Sequence, residues 1–111
     1  MENVMDEIRK EISGNKVIVY MKGTPSLPQC GFSARTVAIL EDVGYPFAAV
    51  DVLAEPDKRE AIKVYSEWQT IPQVYINGQF VGGCDIMMEL YESGELQRLL
   101  SEAFAEAPAP G

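Results

Sequence analysis

The chemistry open to this chain is set by two cysteines and by a residue type it lacks. Its 111 residues contain no histidine, which removes imidazole acid–base catalysis, Ser–His triads and the commonest metal ligand. Cys30 and Cys84 remain. As a pair they allow a disulfide, a metal-ligand pair, one functional thiol beside a bystander, or two inert buried residues. In a reducing compartment a stable structural disulfide ranks last among these. Cys30 lies in "TPSLPQCGFSART", between a proline-rich turn and a run with helical spacing. Free N–H groups and the positive dipole end at a helix start favour an anion, and a thiolate, not a thiol, is the nucleophile and metal ligand. Lys22, at the end of the preceding apolar run, adds a positive charge. A small buried hydrophobe is the alternative reading of a lone cysteine. The loop around Cys30, with Lys22 alongside, favours the reactive one.

Three positions after Cys30, where a disulfide shuttle carries its second cysteine, stands Ser33. A hydroxyl neither attacks nor leaves in thiol exchange at neutral pH; it donates a hydrogen bond to the neighbouring sulfur. The chain therefore needs an external thiol, or a use for one thiolate other than exchange. Further on, the "TIP" of Thr70, Ile71 and Pro72 precedes an apolar run. A proline there leaves the backbone of the residue before it open to an extended peptide, although an ordinary loop-to-strand proline accounts for it as well. In "GGCD", Gly82 and Gly83 permit positive φ or close approach, and Asp85 suits the N-cap of a following helix. Exposed N–H groups at such a helix start favour an anion. A glycine turn with a structural cap is the simpler alternative. Trp68, Tyr65 and Tyr75 read as core or rim, and Met87 and Met88 as packing.

These residues need a scaffold, and the apolar periodicity supplies one. Residues 3–12 carry Val4, Ile8 and Ile12 at helical spacing up to Gly14. "KVIVYM" reads as a buried strand and "KGTPSLPQ" as a loop. A helix from Gly31 carries Val37, Ala38, Leu40 and Val43 and closes at Gly44 and Pro46. "PFAAVDV" is a second strand, and Pro56 opens a helix with Ala61, Ile62 and Tyr65. "PQVYINGQFVGG" holds two strands joined by Asn77-Gly78, the strongest short hairpin signal. Two more helices follow, one with Met87, Met88, Leu90 and Tyr91, the other with Leu96, Leu99, Leu100 and Phe104. The order α-β-α-β-α-β-β-α-α combines a right-handed parallel crossover with an antiparallel hairpin. It predicts an α/β, thioredoxin-like fold: a small four-stranded mixed sheet flanked by helices.

The length suits one domain. Nine basic against seventeen acidic residues leave a net charge of −8, a field that repels phosphate backbones and anionic lipid, so neither nucleic acid nor membrane is expected as a partner. No apolar run approaches the ~20 residues that span a bilayer. "MENVMDEIRK" lacks the features of a signal or transit peptide, so a cytoplasmic or other soluble location is expected.

"KGTPSLPQCGFS" and "WQTIPQVYINGQFVGGCD" together closely resemble the CGFS-type monothiol glutaredoxins in their short single-domain form. The match runs from the first helix to the last. It implies a single glutaredoxin domain over residues 1–106, with the "APAPG" of 107–111 a frayed tail. It also implies a protein that binds glutathione and holds one [2Fe–2S] cluster between two protomers and two glutathiones. By that resemblance Cys30 is the redox-active thiol and iron ligand. Lys22 and Arg59 would hold the glycyl carboxylate, Ile71 would pair its backbone with the tripeptide, Pro72 would be cis, and Cys84 and Asp85 would receive the γ-glutamyl end. A [2Fe–2S] centre takes four thiolates, so one chain with one credible exposed thiolate is insufficient and a homodimer is expected when the cluster is bound. A cluster bound by Cys30 and Cys84 of each of two chains is the lesser count. The function implied is delivery of clusters to apo iron–sulfur proteins and iron homeostasis. The alternatives are glutathione-dependent thiol–disulfide exchange, which is weak in this class, and a redox-sensitive adapter acting with BolA-type partners.

Overall fold

The computed structural model describes residues 2–105; the expected tail of 107–111 lies outside them. Its elements are α1 (Glu2–Gly14), β1 (Val17–Met21), β2 (Gly23–Thr24), β3 (Leu27–Pro28), α2 (Gly31–Val43), β4 (Ala48–Asp51), α3 (Pro56–Ser66), β5 (Gln73–Ile76), β6 (Gln79–Gly82), α4 (Cys84–Ser93) and α5 (Glu95–Ala105). The first helix runs slightly beyond residues 3–12 at both ends. The segment expected as plain loop contains the short β2–β3 ladder, which pairs Gly23 with Pro28 and Thr24 with Leu27. Its cause is local: the Thr24 hydroxyl accepts the Leu27 N–H at 3.1 Å across the Pro25-Ser26 turn.

Four strands form the main sheet in the order β4-β1-β5-β6. β1 is parallel to β4 and antiparallel to β5, and β5 is antiparallel to β6. Asn77 and Gly78, with φ of 52° and 81°, make the two-residue turn between the last two strands. β1 is buried at every position because both faces of the sheet are covered. Val17, Val19 and Met21 face α2, α4 and α5, packing with Val37, Leu40, Met87 and Leu100. Ile18 and Tyr20 face α1 and α3, packing with Ile8, Ile12, Ala61 and Ile62. A strand covered on both faces carries an unbroken apolar run instead of alternation.

On the second face, α1 and α3 share a buried cation. Lys58 is 8% exposed and pairs with Glu11, with Glu55 at 3.1 Å and with Glu7 at 3.6 Å. Tyr20 donates its hydroxyl to Glu11 at 2.7 Å. Burial opposes the ammonium charge, yet Glu11 and Glu55 outweigh it and hold the Lys58 pKa above its ordinary value.

The strand register gathers one end of the sheet. Tyr20 pairs with Gln73 and Val74 with Gly82, so the ends of β1, the start of β5 and the end of β6 meet. Lys22, Pro72 and Gly83 emerge there together, at the carboxyl end of β1 where α/β sheets place their ligands.

Candidate functional site

At that end of the sheet lies a cleft of about 510 Å³. Lys22, Cys30, Arg59, Ile71, Pro72, Cys84 and Asp85 all line it, so the residues singled out from the sequence converge on one place.

The loop carrying Lys22 and Cys30 is fixed by backbone hydrogen bonds. Lys22 donates its N–H to the Ser33 hydroxyl at 3.1 Å and accepts the Gln29 N–H at 2.9 Å. Asp51 Oδ1 accepts the N–H of both Gly23 and Leu53 at 2.9 Å, tying the loop to the end of β4. Gly23 has φ +89°, and a Cβ there would lie 2.5 Å from the Leu27 carbonyl oxygen and 2.6 Å from the Gln29 nitrogen. Only glycine fits that approach.

Cys30 is the N-cap of α2, extended at φ −151° and ψ 136°, and makes no capping hydrogen bond through its side chain. First-turn N–H groups are therefore left for an anion. The nearby Ser33 N–H, against burial and with help from the Phe32 N–H, the Lys22 charge and the Ser33 hydroxyl, favours the thiolate and holds the thiol below its ordinary pKa. Ser33 is fully buried. Its hydroxyl serves the Lys22 backbone as well as the sulfur, a role wider than the donation to sulfur expected from its position.

Arg59 projects from α3 into the cleft, and its buried Nε has no hydrogen-bond partner among the described residues. Lys63, one turn later, also lines the cleft and sits 3.5 Å from Glu60. Lys22, Arg59 and Lys63 thus bring three of the chain's nine basic side chains into one cavity, beside the single carboxylate of Asp85. Ile71-Pro72 is a cis peptide. Gly83 abuts it so closely that a Cβ would lie 3.1 Å from the Pro72 carbonyl oxygen.

At the far wall the expected N-cap is corrected. Gly83 caps α4, Cys84 is its first residue and Asp85 lies within its first turn. The chain enters through an extended Gly83 with φ −99°, so the cap position falls two residues before Asp85. Cys84 is 6% exposed, and its sulfur lies 4.0 Å from Met88 Sδ. Among the described residues no group of three or more His, Cys, Asp or Glu side chains is placed to hold a metal ion, and no helix is long and apolar enough to cross a membrane.

Lys63 and Ile86 were not singled out from the sequence, and Trp68, 44% exposed, takes the rim position rather than the core. The signal for Lys63 was its spacing of four from Arg59, which places both on one helix face.

The glutaredoxin family model matches residues 17–81 of this chain. An uncharacterized monothiol glutaredoxin ycf64-like of Synechocystis is 58% identical over 94 residues, 85% of this chain and 88% of that protein. The solution structure of reduced poplar apo GrxS14 is similar at a TM-score of 0.78 and 43% identity, covering 95% of this chain and 94% of that one. The crystal structure of a buckwheat glutaredoxin–glutathione complex is similar at a TM-score of 0.83 and 25% identity, covering 96% and 94%.

Proposed function

Since this chain belongs to the glutaredoxin family and its relatives are monothiol members, we propose that it binds glutathione in the cleft and carries a labile [2Fe–2S] cluster between two protomers. The cluster is cargo, passed to apo iron–sulfur proteins in the service of iron homeostasis. The observation that carries this reading is the pairing of a single low-pKa thiol with an uncompensated buried guanidinium nitrogen across one cleft. A tripeptide with two carboxylates and a thiol answers both.

Lys22 and Arg59 hold the glycyl carboxylate by charge-assisted hydrogen bonds. Ile71 offers its backbone beside cis-Pro72 to the extended tripeptide. Free N–H groups at Cys84 and Asp85, in the first turn of α4, take the α-carboxylate, and the Asp85 side chain meets the ammonium. The tripeptide sulfur then lies toward Cys30. The similar buckwheat protein was solved with glutathione, which supports the ligand class.

The donor set fits the cluster by count. Four thiolates are required; Cys30 from two protomers and two glutathione thiolates provide them, with Cys84 walled in. The sulfur supplies iron ligation when the cluster is held, and half the ligands being diffusible suits transfer over storage. The protein works in a reducing compartment such as the cytoplasm, as a homodimer when loaded. BolA-type proteins and apo iron–sulfur proteins are the expected partners.

The low-pKa thiol also favours a second reading, exchange chemistry. The Cys30 thiolate attacks the glutathione sulfur of a mixed disulfide and expels the substrate thiolate, and a second glutathione thiolate releases oxidised glutathione and restores Cys30.

Anaerobic reconstitution with iron and sulfide, with and without glutathione, tests the first reading. Visible absorbance that requires glutathione, disappears in Cys30→Ser and persists in Cys84→Ser is expected. A cluster formed without glutathione and dependent on Cys84 would move ligation to the two cysteines. No cluster, with turnover of a glutathione mixed disulfide, would leave exchange as the function.

A further inference from the structure

One buried polar side chain beside the cleft has no part in the scheme above. Gln73, the first residue of β5, is fully buried and does not line the cavity. A polar side chain sealed between a sheet and its covering helices is costly unless every donor and acceptor is met. Here they are met in one particular way. The Gln73 amide nitrogen donates to the carbonyl of Trp68 at 2.9 Å and to that of Thr70 at 3.2 Å. Its carbonyl oxygen accepts the Tyr75 hydroxyl at 3.1 Å. Two carbonyls on one side demand the NH₂ end, and the phenol donor on the other demands the oxygen, so the orientation is determined by its partners.

The segment it holds is a wall of the cleft, exposed at Trp68, Gln69 and Thr70 and buried at Ile71 and Pro72. Residues 68–72 all line the cavity. The backbone of Trp68 is held from the other side, where its N–H donates to the Lys63 carbonyl at 3.2 Å and to the Ser66 hydroxyl at 3.1 Å. A surface segment of this kind is ordinarily among the least stable parts of a fold; here a side chain rooted in the central sheet grips two of its carbonyls.

We propose that Gln73, oriented by Tyr75, is a positioning residue that preforms the 68–72 wall for the ligand without touching it. The affinity consequence rests on the glutathione reading above; the ordering of the wall does not. A preformed wall spares the ligand the entropy of ordering it.

The test uses Gln73→Met, Gln73→Glu and Tyr75→Phe in the full chain. Trp68 is the only tryptophan, so its acrylamide quenching reads the wall in the absence of any ligand. Quenching rises in Gln73→Met and rises less in Tyr75→Phe, which keeps its ring and the amide and removes only the orienting hydroxyl. Glutathione affinity falls about tenfold in Gln73→Met, the loss of two buried hydrogen bonds, while the pH profile of Cys30 alkylation stays as in the parent. In Gln73→Glu a carboxylate faces two carbonyls, so its binding deficit relative to the parent shrinks as pH falls from about 8 to about 5 and the side chain regains a proton to donate. Gln73→Met fills the same buried space without a donor or acceptor and so separates the hydrogen bonds from packing. Unchanged quenching in both Gln73→Met and Gln73→Glu overturns the proposal, whatever the ligand. Quenching that rises while glutathione affinity stays within twofold overturns its binding half. A parent that fails to bind glutathione overturns the earlier reading and leaves the quenching result to decide this one.

Discussion

Replacing Ser33 by alanine separates two jobs that one hydroxyl performs. It accepts the Lys22 N–H at 3.1 Å and lies fully enclosed. Alanine leaves that N–H facing a methyl group, at a cost of about 1–2 kcal/mol. For a domain of this length the melting temperature should fall by roughly 4 °C per kcal/mol. The thiol should respond far less. The Ser33 N–H is the leading group that lowers the Cys30 pKa, the Phe32 N–H and the Lys22 charge follow, and the Ser33 hydroxyl comes last. Alanine removes only this last one. Iodoacetamide alkylation of Cys30 at neutral pH, in a Cys84→Ser background, should therefore slow by less than about threefold, under ~0.7 kcal/mol. Thermal unfolding by circular dichroism and the alkylation rate together decide the matter. A tenfold slower thiol with an unchanged melting temperature would refute the reasoning, because the hydroxyl would then act on the sulfur and not on the loop.

Other perturbations follow from the same geometry. Cys30 alkylation should titrate below the free-thiol range, and Lys22→Gln should shift the profile upward. Because the folded pKa lies below the unfolded one, ionisation stabilises the reduced fold above the unfolded value, and that contribution is lost as pH falls through the folded value; urea melts across that window measure it. Gly23→Ala forces a Cβ against the Leu27 carbonyl at 2.5 Å and should cost about 2 kcal/mol or more, with slower Cys30 alkylation from the displaced loop. Gly83→Ala narrows the cleft against the Pro72 carbonyl at 3.1 Å; calorimetry should show weaker glutathione binding with little change in melting temperature. Lys58→Met strands the Glu11 carboxylate against the Tyr20 hydroxyl and should destabilise by about 2–3 kcal/mol, whereas the double change with Glu11→Leu should recover much of the loss.

Most elements were legible because each apolar run has one period and ends at a glycine or proline. Asn77-Gly78 announced its turn, and Gly44 its helix end. That Cys30 lies at a helix start was legible because prolines punctuate the loop before it and helical spacing follows it; that it is the N-cap itself came from the structure. The β2–β3 ladder was not legible, since two-residue strands carry no readable period and a side-chain hydroxyl, that of Thr24, helps to close its turn. Lys58 and Gln73 were hidden for a common reason. A charged or amide side chain in sequence reads as solvent-facing, and only the packing of a helix over a neighbour or of two layers over one strand reverses that. Arg59 held no special status from pattern alone. Its approach to the cleft depends on where α3 crosses the sheet, which no local spacing encodes. Asp85 reads as a cap two positions from the true one because Gly83, without a side chain to cap, serves through backbone conformation.

The cleft draws on four separate stretches of chain, 22–32, 59–63, 68–72 and 83–86. They meet only when β1, β5 and β6 are in register and α3 is docked. No fragment and no half-folded state can present the whole set, so occupancy and folding form one equilibrium. A ligand at a hundred times its dissociation constant adds about 2.7 kcal/mol to global stability. Protease resistance of regions far from the cleft, such as α5, would then rise with ligand concentration. The abundance of the folded chain would track the supply of the small molecule it holds.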